Sequence, residues 1–252
     1  MKIRLRIASL VLIFLSPLSS WAFRLSPMIA NFAPSGSGST QTFLVENTGT
    51  EKVAIQIEAF HRYADEQGKE SRTATDEFSV YPQQMALQPN EKRNIRVTWT
   101  GSRQPDRELN YRLVVTELPV DLKKPKEREN KLGASLTFLM QYVASLYVTP
   151  PSATSKLVVD SFKVMPDGEG LLVLKNTGLA HRVLKGTQVF VRTGKDSRTE
   201  LKGEQIEQMQ GENVLSLSSR RFLVPLSAAL SAALVRAEKA NPGTVKAEIE
   251  LN

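Results

Sequence analysis

Imidazole, thiol and carboxylate groups are the side chains most often recruited for catalysis or metal binding, and this chain is poor in the first two. Its 252 residues include two histidines, His61 and His181, and no cysteine. The histidines stand in opposite halves of the chain, and neither has a nucleophile signature beside it. No Gly-x-Ser-x-Gly elbow and no glycine loop able to cradle a phosphate is present. RYADEQGKE offers oxygens at Asp65, Glu66 and Glu70, but not at the alternating spacing of a calcium-binding helix–loop–helix. Glu108, Glu117 and Asp121 do not declare a glycosidase pair, because that chemistry depends on separation in space. The expectation is a protein with no catalytic residue, no metal site and no cofactor. Without cysteine, thiol catalysis and a disulfide-stapled scaffold are excluded as well.

What remains is the chemistry of surfaces. From residue 132 the chain reads LGASLTFLMQYVASLYV. In an extended strand Leu136, Phe138, Met140 and Tyr142 share one face, and Leu132 and Ala134 continue it upstream. Two readings stay open: the large side chains fill the strand's own core, or an edge strand offers them to another protein. In the second, each of Leu136, Phe138 and Met140 contributes on the order of 1.5–3 kcal/mol by leaving water. The strand backbone then supplies hydrogen bonds indifferent to the partner's sequence, and side-chain pockets supply specificity. The preceding DLKKPKERENK, residues 121–131, is nearly all charged and reads as a solvated loop. If it orders on docking, binding must offset the entropy of ordering it.

The elements that position this strand begin after a leader. Lys2, Arg4 and Arg6 precede an apolar run over residues 7–18, and SSWA ends in small residues. That is the layout of a secretory signal peptide, residues 1–22. The run is about a dozen residues, short of the ~20 a membrane-crossing helix needs, so stable membrane insertion is not expected. The formal charge of +7 falls to about +4 without the leader's three basic residues, too modest a surplus to argue for nucleic acid.

Beyond the leader, short runs of period two recur. KVAIQIEAF places Val53, Ile55 and Ile57 on one face, and NIRVTW does the same with Ile95, Val97 and Trp99. EFSVYPQQMALQPNEKRNIRVTW predicts two strands, and NYRLVVTELPV another. RYADEQGKESR, with a central Gly68, reads as a loop or exposed hairpin. TPPSATS is a stiff connector, which places a domain boundary near Pro151. After it KLVVDSFKV, GLLVLKNTG, HRVLKGTQVFVRTG, ENVLSLS and TVKAEIEL predict a second set of strands. VENTG and LKNTG close similar hydrophobic runs, and their Asn and Gly suit a turn with positive φ. Leu226, Leu230 and Leu234 form a helical stripe stopped by Pro242 and Gly243, so a short helix is expected in the second half. The fold class expected is all-β, with sandwich domains over 23–150 and 151–252.

VYPQQMALQPNEKRNIRVTW, NYRLVVTELPV and ASLYVTPP, in this order and spacing, resemble the periplasmic chaperones of pilus assembly by the chaperone–usher route (the PapD-like family). The resemblance implies two immunoglobulin-like β-sandwich domains arranged as a boomerang, and location in the periplasm. It implies that the strand lends Leu132, Ala134, Leu136, Phe138, Met140 and Tyr142 to a pilus or fimbrial subunit lacking its last strand. An outer-membrane usher would be the second partner, and a self-capping dimer is open when no client is present. The family pattern also implies two cleft cations for the client's terminal carboxylate. Ungapped matching puts them at Ile29 and Ser145, neither of them basic, which leaves Arg24 and Arg112 as the nearest substitutes. A secreted carbohydrate-binding or adhesin module, with Tyr63, Tyr81, Trp99, Tyr111 and Tyr147 as its aromatic platform, is the alternative.

Overall fold

The computed structural model describes residues 23–120, 139–193 and 197–251; the leader over 1–22 lies outside them. The first part runs β1 (Phe23–Ser26), β2 (Ile29–Phe32), β3 (Thr40–Asn47), β4 (Val53–Ala64) and β5 (Glu70–Ala74). It continues with β6 (Phe78–Tyr81), β7 (Gln84–Leu87), β8 (Lys92–Trp99), β9 (Leu109–Glu117) and β10 (Gln141–Val148). One sheet has the order β1-β3-β8-β6, and the other β2-β10-β9-β4-β5 with β7 paired to β4. The alternation anticipated in β4 and β8 is observed: Ile55, Ile57, Ile95, Val97 and Trp99 are buried between the sheets.

The stretch expected to give two strands gives three. Pro82 cannot donate to a ladder, and the chain changes sheets there: β6 pairs with β8 and β7 with β4. RYADEQGKESR is a hairpin rather than a loop, with β5 laid against the far end of β4 and Gly68 (φ 84°) in its turn.

The second part comprises β11 (Leu157–Val164), β12 (Gly170–Asn176), β13 (Arg182–Val183), β14 (Gln188–Thr193), β15 (Arg198–Leu201) and α1 (Glu204–Glu207). It ends with β16 (Asn213–Val214), β17 (Ser219–Val224), α2 (Ala228–Ala240) and β18 (Val245–Glu250). Sheets β11-β12-β17 and β15-β14-β18 enclose a separate apolar cluster around Leu172, Leu174, Val189, Val191 and Phe222. Strand β17 was not anticipated, because SRRFLV opens with two arginines whose alternation with Phe222 and Val224 is short. Helix α2 starts at Ser227, whose hydroxyl accepts from the Leu230 N–H. Leu234 is buried, and Leu226 and Leu230 pack against the same core. The architecture is two sheet-rich domains of immunoglobulin type with a short helix near the end of the second.

The repeated Asn-Thr-Gly works differently from the expectation. Neither asparagine nor its glycine has positive φ. Instead Asn47 and Asn176 are 2% and 0% exposed and act as plugs. Asn47 Nδ2 donates to the carbonyls of Glu51 (2.7 Å), Leu87 (3.3 Å) and Gln88 (3.1 Å), while Oδ1 accepts the Gly49 N–H at 2.9 Å. Asn176 repeats the pattern with the carbonyls of Ala180 (2.8 Å), Val214 (3.1 Å) and Leu215 (3.1 Å) and the Gly178 N–H at 3.0 Å. A carboxamide is one of few neutral groups that can satisfy a buried loop end in both directions. Gly178 has a further reason: a Cβ there would lie 2.3 Å from the Lys156 nitrogen and 2.4 Å from the Thr154 carbonyl oxygen. Asn47→Ala and Asn176→Ala should each lower stability by about 2–3 kcal/mol, since several buried groups lose their partner at once. Urea unfolding followed by circular dichroism checks this, and unchanged midpoints would contradict the plug role.

Candidate functional site

Strand β10 lies between β2, to which it runs parallel, and antiparallel β9. Its even residues Ala144, Leu146 and Val148 fill the first core. Its odd residues point the other way, and register sets Ser145 opposite both Ile29 and Arg112. The same line continues to Phe60 on β4 and Ala74 on β5. The two positions matched to the family's cleft cations therefore are cross-strand neighbours, with Arg112 immediately beside them.

Arg112 is held from two sides. Its Nε and Nη2 bond the Glu70 carboxylate, with Nε 3.1 Å from Oε1 and 3.0 Å from Oε2 and Nη2 2.5 Å from Oε2. Its Nη1 donates to Ser145 Oγ. Arg62 Nε lies 2.9 Å from the same carboxylate, and Arg72 Nε 3.6 Å. Partial burial pushes the Glu70 carboxyl up, and the hydrogen bond and charge of Arg112 with the charges of Arg62 and Arg72 reverse that, leaving it below the usual value. Three guanidinium groups thus share one carboxylate on an outward face.

Next to this cluster the two domains meet. Glu108, 2% exposed, accepts the His181 N–H at 3.0 Å and His181 Nδ1–H at 2.7 Å on one oxygen. Its other oxygen accepts the Thr149 hydroxyl at 2.8 Å, and its backbone bonds Leu179 and Ser216. A carboxylate can only accept, so the Nδ1 facing it carries the proton. The His181 ring stacks on Tyr147, centroids 3.9 Å apart and planes 14° from parallel. Tyr147 Oη accepts from Asn213 Nδ2 at 2.7 Å and from Arg62 Nη1 at 3.3 Å. The β4–β5 hairpin makes another link, where the Glu66 carbonyl accepts the Arg221 N–H at 2.7 Å and the two side chains form an ion pair.

Of the anticipated site residues, Leu132, Ala134, Leu136 and Phe138 lie outside the described residues. Met140 and Tyr142 are half-buried against the first core, on the parity of Ala144, and the Tyr142 ring meets Phe23 edge-on at 5.0 Å. The Met140 carbonyl accepts the Glu117 N–H at 2.9 Å. Arg112 pairs in register with Ser145 on the outward face of its sheet. Arg24 is not near it: it faces solvent on β1 of the other sheet, opposite Glu46. The aromatic platform is not assembled either, because Trp99, Tyr111 and Tyr147 are buried and leave Tyr63 and Tyr81 exposed.

His61 contacts Glu77 at 3.2 Å, and Tyr111 donates to the same carboxylate at 2.7 Å. Burial first, and that hydrogen bond second, push the Tyr111 phenol up, so it remains a donor. Among the described residues no His, Asp and Glu cluster is arranged to hold a metal ion, and no helix is long and apolar enough to cross a membrane.

Sequence reasoning missed Arg62, Glu70, Arg72, Glu108 and His181 as site residues. A signal existed for three of them. The period two of β4 continues from Glu58 through Phe60 to Arg62, and Gly68 folds Glu70 and Arg72 back onto that outward face.

Two stacked-sheet domains, a Pro-Pro connector and an arginine-lined sheet face beside the joint define a two-domain immunoglobulin-like sandwich protein. Residues 33–153 match the family model described as pili and flagellar-assembly chaperone, PapD N-terminal domain. The first sandwich is therefore similar to the N-terminal domain of these pilus-assembly chaperones, over just under half of the chain. No curated protein sequence matches the chain.

Solved structures resemble it in fold. One chain in the Acinetobacter baumannii CsuC–CsuE chaperone–tip adhesion subunit pre-assembly complex gives TM-score 0.57 at 20% identity, covering 82% of this chain and 89% of that one. The class 5 fimbriae chaperone CfaA gives 0.55 at 14% identity, covering 92% and 100%. The E. coli chaperone DraB gives 0.53 at 19%, covering 82% and 86%.

Removing one acceptor from the joint should loosen it. Glu108→Gln replaces an acceptor-only group with one that presents an N–H to a buried donor, expected to cost about 1–3 kcal/mol. Calorimetry should show the two domains melting less cooperatively; an unchanged trace would contradict the joint's role. For Glu70, a folded value below the unfolded 4.5 means stability that is complete above 4.5 and lost as pH falls through the folded value. The urea-midpoint difference between the native protein and Glu70→Gln should therefore shrink on acidification, and one that grows would contradict the ion-pair assignment.

Proposed function

We propose that this protein is an ATP-independent periplasmic chaperone that caps one incomplete sandwich subunit of a pilus at a time. The cap is the stretch leading into β10, and the subunit is later handed to an outer-membrane usher. The observation that carries the reading is the parity of β10. Its even residues fill this protein's own core from Met140 onward, and the alternating Leu132, Ala134, Leu136 and Phe138 continue that parity upstream. An alternating apolar sequence longer than the strand that its own core takes up suits a subunit with a missing strand. The family match over residues 33–153 supports it, as does the CsuC–CsuE structure, itself a complex of a chaperone with a subunit.

Arg112, beside Ser145 and the exposed Ile29, is the group that anchors the subunit's terminal carboxylate. Arg24, on the other sheet, has no part in it. No covalent step is needed. Capping withdraws apolar side chains from water at on the order of 1.5–3 kcal/mol each, and release follows when another subunit's segment packs the same groove better.

Phe138→Asp and Met140→Asp should each cut recovery of the co-expressed subunit from the periplasm severalfold. Thermal melting of each purified variant is the control, because Met140 also packs on its own core. Normal subunit yields with both substitutions present would overturn the donor assignment.

A further inference from the structure

Arg112 touches its neighbours with separate edges of one planar group. The Nε/Nη2 side of its guanidinium is filled by Glu70, in contacts of 2.5–3.1 Å, and Nη1 is turned to Ser145 Oγ. A guanidinium has five donor hydrogens in a fixed fork. Engaging Nε–H and one Nη2–H on Glu70 leaves the end-on Nη1/Nη2 edge, the second place where such a fork binds a carboxylate side by side. Nη1 of that edge already donates one hydrogen to Ser145 Oγ, and Ser145 pairs in register with Ile29, which is 60% exposed.

Glu70 is itself fixed. It sits on β5 just past the hairpin turn, it bonds Arg62, and the hairpin tip is bound to the second domain through Glu66 and Arg221. From this geometry we infer that Glu70 is a positioning residue: it holds Arg112 by one edge so that the other edge is presented, already oriented, to a peptide's terminal carboxylate. The inference rests on the reading of Arg112 as the carboxylate anchor. It adds that the hairpin's grip on the second domain is what sets the anchor's direction.

Charge alone predicts the opposite. Glu70 partly neutralises the arginines, so its removal would draw an anion in more strongly. Orientation predicts that removal weakens binding although the positive charge rises, because an arginine freed to rotate must be ordered again by the ligand.

The test uses sodium acetate as the carboxylate probe and acetamide as its neutral counterpart, added at constant ionic strength to the full exported chain. Nitrogen–proton correlation spectra follow the Arg112 side chain and the Ser145 amide. Expected are saturable shifts at both with acetate and none with acetamide. Glu70→Gln and Glu70→Asp should each bind acetate about tenfold or more weakly. The aspartate keeps the charge but is one methylene too short to hold the fork. In both variants the Arg112 Nε–H should exchange faster with water, while the Asn213 and Tyr147 amides report an intact joint. Acetate binding as tight or tighter in Glu70→Gln would overturn the positioning role and leave the chaperone reading standing. No acetate response at Arg112 in the native protein would overturn the anchor and this inference together.

Discussion

An extended strand turns successive side chains to opposite faces, and β10 depends on that property to belong to a core and a cleft at once. Ala144, Leu146 and Val148 are fully buried in the first sandwich, while Ser145 and Tyr147 face the cluster and the joint. A slip of one residue in its pairing with β9 would drive Ser145 and Tyr147 into the core and leave Leu146 facing the arginines. Register is therefore held from both sides, by eight paired residues on β9 and four on β2.

The joint shows how the second domain is tied to that strand. A buried carboxylate costs several kcal/mol unless donors surround it, and Glu108 collects three, from the His181 backbone, the His181 ring and Thr149. Those donors come from the second domain and the connector. The carboxylate is comfortable only when the domains are docked, so its desolvation makes separation unfavourable. The ring stack of His181 on Tyr147 adds a flat contact that resists sliding, and Tyr147 is a β10 residue. One strand thus sets the core, the outward arginine face and the seat of the second domain.

The sequence made the sandwich legible wherever one face of a strand is buried and the other is wet. Period two in β4 and β8 and the helical leucines before Pro242 are of that kind. It was less informative where an element is short or polar. β13 and β16 have two residues each, β15 is mostly polar, and β17 begins with arginines. The Asn-Thr-Gly repeat was visible, but its function was not, since a plug is defined by carbonyls that arrive from Leu87 and Gln88 or from Val214 and Leu215. Those partners are distant in sequence. Arg112 is reached only through the family resemblance, beside Arg24, whereas Glu70 reads as a metal oxygen in sequence because its cationic partners come from three different strands.

The arginine cluster also differs from a simple pair of lysines or arginines exposed to solvent. An unpaired side chain of that kind must be immobilised by the ligand it captures, and part of the attraction is spent on ordering. Here three guanidinium groups surround one carboxylate, so positive charge remains in excess although Arg112 is already in place. The cost of ordering is met during folding, by β4, β5 and the hairpin's contact with Arg221. Attraction is reduced by the internal carboxylate, and precision is raised by it. The balance struck by Glu70 is thus between less net positive charge and a more fixed Arg112 side chain.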